Sequence, residues 1–272
     1  MNFPLYIARR YLLSKSSNNA INIITLIATI GVIVSTIALF IVLSVFSGLK
    51  DFSLSFIRTS DPDLKITSVE GKSFHFNDSV RNALMLDKIQ AYSKVVEERV
   101  FLSYVDKSHV ASIKGIDTNF LHVNRLDTAV YFGNWVNYEA KHTVVVGSAI
   151  SMALSIGTYD FLESLKIYVP KPGKGYITNP KTAFSQVNAQ TIGILRLTDD
   201  IDRKYVYANL ALAQDLLNYK EDQISAVEIR LKGDADLQEV QDELSSRLGS
   251  GFLVRTRQQL NSVFYKMLNT EN

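Results

Sequence analysis

The chain has 272 residues, a formal net charge of +2 and no cysteine. It has no dense Lys/Arg run beyond the N-terminus, which excludes an electrostatic nucleic-acid binder. Without cysteine it can form neither disulfides nor thiolate metal sites.

Residues Asn2–Leu13 (NFPLYIARRYLL) place Phe3, Ile7 and Tyr11, with Leu5 and Leu12, at helical spacing, and Arg9 and Arg10 to the other side. This predicts a short amphipathic helix on the inner membrane face, residues 1–19 being cytoplasmic with a polar elbow at Ser16–Asn19. From Ala20 to Phe46 no residue is charged, and Lys15 and Lys50 flank the stretch. About 20 apolar residues in a helix cross the hydrocarbon core of a bilayer, so residues 20–48 are read as a transmembrane helix. Its Ser and Thr hydroxyls can bond carbonyls one turn earlier. The stretch is too long for the apolar part of a signal peptide, which runs to about 15 residues, and Ser44–Gly48 is a poor cleavage site. Arg9, Arg10 and Lys15 precede the span and no acidic residue occurs from Met1 to Leu49, which sets the N-terminus in the cytoplasm. Everything after Lys50 then lies outside the cytoplasmic membrane, in the periplasm of a bacterium with an outer membrane.

Leu49, Phe52, Phe56 and Ile57 keep helical spacing, so the helix is expected to run on as a stalk over 49–61 and stop before Pro62. Strands are predicted at Asp63–Val69, at Val95–Asp106 and Val110–Gly115 as a hairpin turning at Asp106–His109, at Val144–Val146, Ser164–Val169, Ala189–Leu195 and Tyr205–Ala208. Helices are predicted after Asn77 or Asp78, after Gly147 with Ile150, Ala153 and Leu154 inward, and over Leu210–Tyr219. Ala226–Lys232 alternates Val227, Ile229 and Leu231 with Glu228, Arg230 and Lys232, the pattern of a half-buried strand. Asp234 is expected to cap a helix to Leu248 with Leu237, Val240, Leu244 and Leu248 on one stripe; Phe252–Arg255 closes as a strand. Residues 256–272 read as an amphipathic helix, Leu260, Val263, Phe264, Met267 and Leu268 on one face, heading for a second span. The fold class is α+β: a transmembrane helix, then mixed sheets layered with helices.

Catalytic chemistry is not expected. A G-x-x-x-x-G-K-[ST] phosphate loop is missing, and so is the G-x-S-x-G that Gly147-Ser148 would need for a nucleophile elbow. His75, His109, His122 and His142 lack metal spacing and read as surface. Asp199-Asp200-Ile201-Asp202 reads as a solvated turn rather than a cation site. Neither a metal nor another cofactor is expected.

Several segments together carry a resemblance. Leu5–Leu49, with its Arg-Arg-Tyr elbow, Ile30-Gly31 and Val42–Gly48, resembles the first segment of bacterial lipoprotein-releasing ABC permeases, a family allied to the macrolide-efflux and cell-division permeases. Val144–Leu162, with Gly157 and Asp160, is similar to the family's strand, small helix and Gly-x-x-Asp segment. Thr191–Leu195, Lys204–Leu217 and Val227–Asn272 are similar to the elements that follow. The resemblance implies a periplasmic domain of two subdomains, a membrane-proximal one from 62–114 and 225–255 and an inserted one from 115–224. It also implies a permease of the inner membrane that extracts lipoproteins from its outer leaflet, with a separate cytoplasmic ABC ATPase, a second permease copy or paralogue, a periplasmic lipoprotein chaperone and membrane lipids as partners. An efflux or cell-division permease, or a single-span periplasmic scaffold, is the alternative.

Pro170–Val187 (PKPGKGYITNPKTAFSQV) holds three of the five prolines and, as charges, only Lys171, Lys174 and Lys181. It reads as a mobile hairpin loop or as a docking arm. As an arm, proline limits the entropy lost on binding, Tyr176, Ile177 and Phe184 supply anchor area, and the lysines meet an acidic partner. The resemblance implies that a hairpin here recruits the chaperone, Pro170, Lys171, Pro172, Lys174, Tyr176, Ile177, Pro180, Lys181 and Phe184 being its candidates and Pro172 or Pro180 the proline near its tip. Leu43, Phe46, Leu49 and Phe52 are the candidates for lipid-facing or substrate-facing contact.

Overall fold

The computed structural model describes residues 3–13, 19–160, 162–171 and 183–262. The chain divides into two compact units, Met1–Leu54 and Ser55–Asn272. The first holds α1 (Phe3–Leu13) and most of α2 (Asn19–Ser60). Within α2, Ile23–Lys50 is apolar on all sides, with a mean hydropathy of 2.8 and none of it buried; among the described residues it is the one helix long and apolar enough to cross a membrane. Thr29 and Thr36 donate their hydroxyls to the carbonyls of Thr25 and Val32, each at 2.8 Å, so these groups do not need water. The helix ends at Ser60, because the residue before Pro62 disfavours helical geometry.

The second unit runs β1 (Leu64–Ser68), β2 (Phe74–His75), α3 (Asp78–Ala83), β3 (Ile89–Tyr104), β4 (Lys107–Ile116), α4 (Phe120–Val123), a 3-10 turn, β5 (Val130–Gly133), β6 (Thr143–Gly147), α5 (Ser148–Leu154) and β7 (Leu165–Pro170). It continues with β8 (Phe184–Leu195), α6 (Asp199–Lys204), β9 (Tyr205–Asn209), α7 (Leu210–Leu217), β10 (Gln223–Ile224), β11 (Ala226–Leu231), α8 (Leu237–Leu248), β12 (Phe252–Thr256) and α9 (Arg257–Leu260). The fold class is α+β, as the sequence indicates. Ten strands join one sheet in the order β12-β1-β11-β3-β4-β9-β6-β8-β5, with β7 pairing both β3 and β8. That double pairing closes a circuit, β3-β4-β9-β6-β8-β7 and back to β3, in which β4/β9 and β6/β8 are parallel and the other neighbours antiparallel. Within the circuit every strand is paired on both sides, so its edges are protected.

Side chains alternate across these strands, and two apolar cores form against the sheet. Val144 and Val146 enter the larger core with Leu102, Ile113, Ile167, Val206, Leu154 of α5 and Leu212 and Leu216 of α7. Val145 enters the other, with Phe120, Leu126, Leu195 and Tyr207. This is why the run Val144-Val145-Val146 does not alternate in polarity. Gly147 and Gly193 let backbone approach backbone: a Cβ at Gly147 would sit 2.0 Å from the Asp202 carbonyl oxygen, and one at Gly193 would sit 2.1 Å from that of Asn134.

Several sequence expectations need correction. The β3–β4 turn is tighter than Asp106–His109: Tyr104 pairs Lys107, which leaves Val105, at φ 51°, and Asp106 as the loop. Asp236, not Asp234, caps α8, accepting from the amides of Gln238 and Glu239. Leu237 is partly exposed, so Val240 and Leu244 are the fully buried members of that stripe. Ala153 faces solvent while Ala149, Ile150 and Leu154 pack inward. Strand β11 is not half-buried, since Glu228 is as enclosed as Val227 and Ile229. Asn77 caps α3 through the amide of Val80. Val263, Phe264, Met267 and Leu268 lie outside the described residues.

Candidate docking surface

Strands β7 and β8 form the base of the Pro170–Val187 segment. Tyr168 pairs Gln186, Val169 pairs Ser185 and Pro170 pairs Phe184. The ladder continues one step further, the Lys171 amide donating to the Ala183 carbonyl at 2.9 Å. The segment therefore does not begin as a loop: Pro170 and Phe184–Val187 are strand residues, held by the buried Leu165, Ile167 and Val169 on the opposite face. Pro170, Lys171 and Phe184 are exposed. Pro172, Lys174, Tyr176, Ile177, Pro180 and Lys181 lie outside the described residues.

The exposed face of the hairpin base continues across two further strands. Tyr168 is paired with Phe101 of β3, their ring centroids 6.3 Å apart, and Phe101 is paired with Val110 of β4. Pairing sets side chains on one face, so Val110, Phe101, Tyr168, Pro170 and Phe184 form one apolar surface. Phe101, Val110 and Phe184 are 44%, 47% and 41% exposed, large values for such residues on a sheet covered elsewhere. Arg99 and Lys166 occupy the same face by alternation. The sequence reading missed this surface; its signal was the period-two placement of Arg99, Phe101 and Ser103. The loop leading into β7 is clipped to the tip of β3, since the Tyr104 hydroxyl donates to the Asp160 carboxylate, which also accepts from the Leu162 amide at 2.9 Å. That bond lowers the Asp160 carboxyl and, with some burial, pushes the Tyr104 phenol up to about 12.

At the other end of β3 a charged network braces the sheet. Glu228 of β11 accepts from Lys114 of β4 at 2.8 Å and lies 3.6 Å from Lys65 of β1; Asn124 donates to its other oxygen at 2.6 Å. Lys65 also meets Glu97 of β3 at 2.8 Å, and the Tyr205 hydroxyl donates to Glu97 at 2.9 Å. Burial pushes the Glu97 carboxyl up, but Lys65, Lys114 and Lys204 outweigh it and hold the group at about 2. Burial pushes the Lys65 ammonium down, and Glu97 and Glu228 reverse that into a rise. Because the folded Glu97 lies below its unfolded value of about 4.3, its contribution is present above that pH and lost toward pH 2. A Glu97→Gln variant is expected to have a shallower loss of stability between about pH 4.5 and 2 than the parent, read by urea unfolding across that window.

Ser148 and Asp202 meet, the serine hydroxyl donating to the carboxylate at 2.8 Å, and Asp202 also accepts from the Leu197 amide. Asp199–Asp202 is thus not a solvated turn: it opens α6, and Asp202 is buried, which raises its carboxyl. One oxygen of that carboxylate ties α6 to Ser148 of α5, and the other closes the turn that leads from Leu197 into α6.

The MacB-like periplasmic core domain model matches residues 25–247, most of the chain. The chain belongs to the MacB-like periplasmic core domain family. Relatives that it resembles include the lipoprotein-releasing system transmembrane protein LolE of Haemophilus influenzae, 25% identical over 236 residues, covering 85% of this chain and 55% of that protein. The lipoprotein-releasing system transmembrane protein LolC of Buchnera aphidicola is 24% identical over 253 residues, 86% of this chain and 57% of that protein. The chain thus spans little more than half the length of these relatives. In fold it is similar to the periplasmic region of MacB from Actinobacillus actinomycetemcomitans, with a TM-score of 0.50 at 12% identity over 77% of this chain and 95% of that one. The extracellular domain of the ABC-type transporter YknZ from Gram-positive bacteria gives the same TM-score at 11% identity, over 71% and 99%.

The MacB-like core match begins inside α2 and takes in the whole β3–β4 and β7–β8 surface. Leu43, Phe46, Leu49 and Phe52 follow one another at i, i+3 spacing along α2, and all are exposed.

Proposed function

We propose that this chain forms part of an ABC-transporter permease subunit of the bacterial inner membrane that extracts lipoproteins from the outer leaflet and passes them to a periplasmic chaperone. The kinship with two lipoprotein-releasing transmembrane proteins supports the permease reading. The observation that carries the chaperone step is the β7–β8 hairpin, which ends in exposed Pro170 and Phe184 and shares an apolar face with Phe101, Val110 and Tyr168. A groove-bearing partner would bury the aromatic anchors, and acidic groups on its rim would meet Arg99, Lys166, Lys171, Lys174 and Lys181.

In this reading residues 20–48 span the membrane with the N-terminus in the cytoplasm. A separate ATPase subunit hydrolyses ATP, and a second permease, identical or paralogous, completes the pair. Leu43, Phe46, Leu49 and Phe52 touch lipid or the departing lipoprotein. The β1, β11 and β12 strands belong to the membrane-proximal subdomain (62–114 and 225–255), and α4–α7 with β5, β6 and β8 belong to the inserted one (115–224).

Depletion of the protein in its own bacterium tests the reading. Mature outer-membrane lipoproteins are expected to accumulate several-fold in the inner-membrane fraction of a density gradient. Correct lipoprotein sorting, with a defect in macrolide efflux or in division instead, would replace this reading with one of the allied permeases.

A further inference from the structure

Three parts of the second unit meet at one carboxylate just past the end of α2. Asp63 Oδ1 accepts from Arg257 at 2.6 Å and from Arg230 at 3.3 Å, and Asp63 Oδ2 accepts from the Leu231 amide at 2.9 Å. The Asp63 backbone is held as well, its amide donating to Ile229 and its carbonyl accepting from the Arg257 amide. Two residues earlier, Asp61 offers its carbonyl to both Arg257 and Arg230 and accepts from the Asn261 side chain at 2.5 Å on its carboxylate. Arg230 reaches on to the Val123 carbonyl, at the end of α4, with its Nε at 2.7 Å. The start of α9 is fixed independently by a capping box between Thr256 and Gln259.

We infer that Asp63 is a positioning residue that holds the exit of α2, strand β11, the end of α4 and the start of α9 as one body while the transporter cycles. This inference rests on the permease reading. Two guanidiniums converge on one carboxylate oxygen, so Asp63 does more than supply a bond. Without its charge, Arg230 and Arg257 face each other across a partly buried site, and repulsion opens the junction. A helix displaced by the ATPase then moves its own end without moving α9 or α4.

Residues 1–272 contain no cysteine, so Asp61→Cys with Asn261→Cys introduces the only pair in this region, at side chains already in contact. In the full-length transporter in proteoliposomes, this pair is expected to oxidise to the same extent without nucleotide and with ATP plus vanadate. The oxidised protein is expected to keep its ATP-driven release of a labelled lipoprotein. Asp63→Asn is expected to lower that release at least tenfold with chaperone affinity unchanged, and oxidation of the pair in the Asp63→Asn background should restore it. A cross-link that is lost with nucleotide, an oxidised form that stalls until reduced, or wild-type release by Asp63→Asn would each overturn the inference. Should Asp63→Asn fail to fold, the cysteine pair in the parent background still decides. A parent that releases no lipoprotein contradicts the permease reading, whereas the cross-linking yields judge the junction by themselves.

Discussion

Deleting Lys171–Ala183 and joining Pro170 to Phe184 through a two-residue turn is expected to abolish capture of the lipoprotein chaperone while the domain stays folded. The domain should survive because, among the described residues, neither core draws on the excised stretch. Pro170–Phe184 becomes the terminal pair of a ladder whose buried side is Leu165, Ile167 and Val169, and β7 keeps its second partner in β3. Binding should fail because the excised stretch carries Tyr176 and Ile177 and all three lysines of the arm. Anchors of this kind dominate interface energies, and losing the cluster should weaken binding at least ~100-fold, about 3 kcal/mol. Phe101, Val110 and Tyr168 remain on the sheet beside Arg99 and Lys166 and should retain only weak contact. Calorimetry with the purified chaperone, alongside a thermal melt, separates the two effects; unchanged affinity with an unchanged melt would remove the arm from the docking account.

Glu228→Ala is expected to destabilise the second unit by about 3–5 kcal/mol, the cost of leaving buried charge without its partner. Glu228 is 1% exposed and is the only carboxylate within salt-bridge distance of Lys114 among the described residues. Lys114 is itself buried, beside the rings of Phe120 and Tyr205. Truncation leaves that ammonium in the sheet, weakens the hold on Lys65 and orphans the Asn124 amide. Replacing Lys114 by Met in the same protein should recover part of the loss, because it removes the unpaired charge with similar volume. Urea unfolding of the single and double variants measures both. A loss below about 1 kcal/mol for Glu228→Ala would mean that water reaches Lys114.

The long apolar helix could be read from sequence because an uncharged apolar run needs no tertiary context. So could the α+β class and most strand positions, since their period-two patterns are local. What stayed hidden depends on neighbours far along the chain. Glu228 looked solvent-facing because it alternates with Val227 and Ile229, yet Lys114, more than a hundred residues earlier, compensates it within the sheet. Asp202 sits among three acids in four residues and looked solvated, yet Gly147 lets its backbone close against β6 and bury it. Composition marked the arm through Pro, Gly and Lys, whereas its platform is assembled by cross-strand pairing of Phe101 with Tyr168, which no local pattern encodes.

The most direct test of the central claim is transfer of an acylated lipoprotein from proteoliposomes containing the full transporter to soluble chaperone, with and without the Lys171–Ala183 arm. The account predicts transfer that requires both ATP and the arm, with ATP hydrolysis continuing in the armless protein. ATP-driven transfer to the chaperone at the wild-type rate by the armless protein would contradict it.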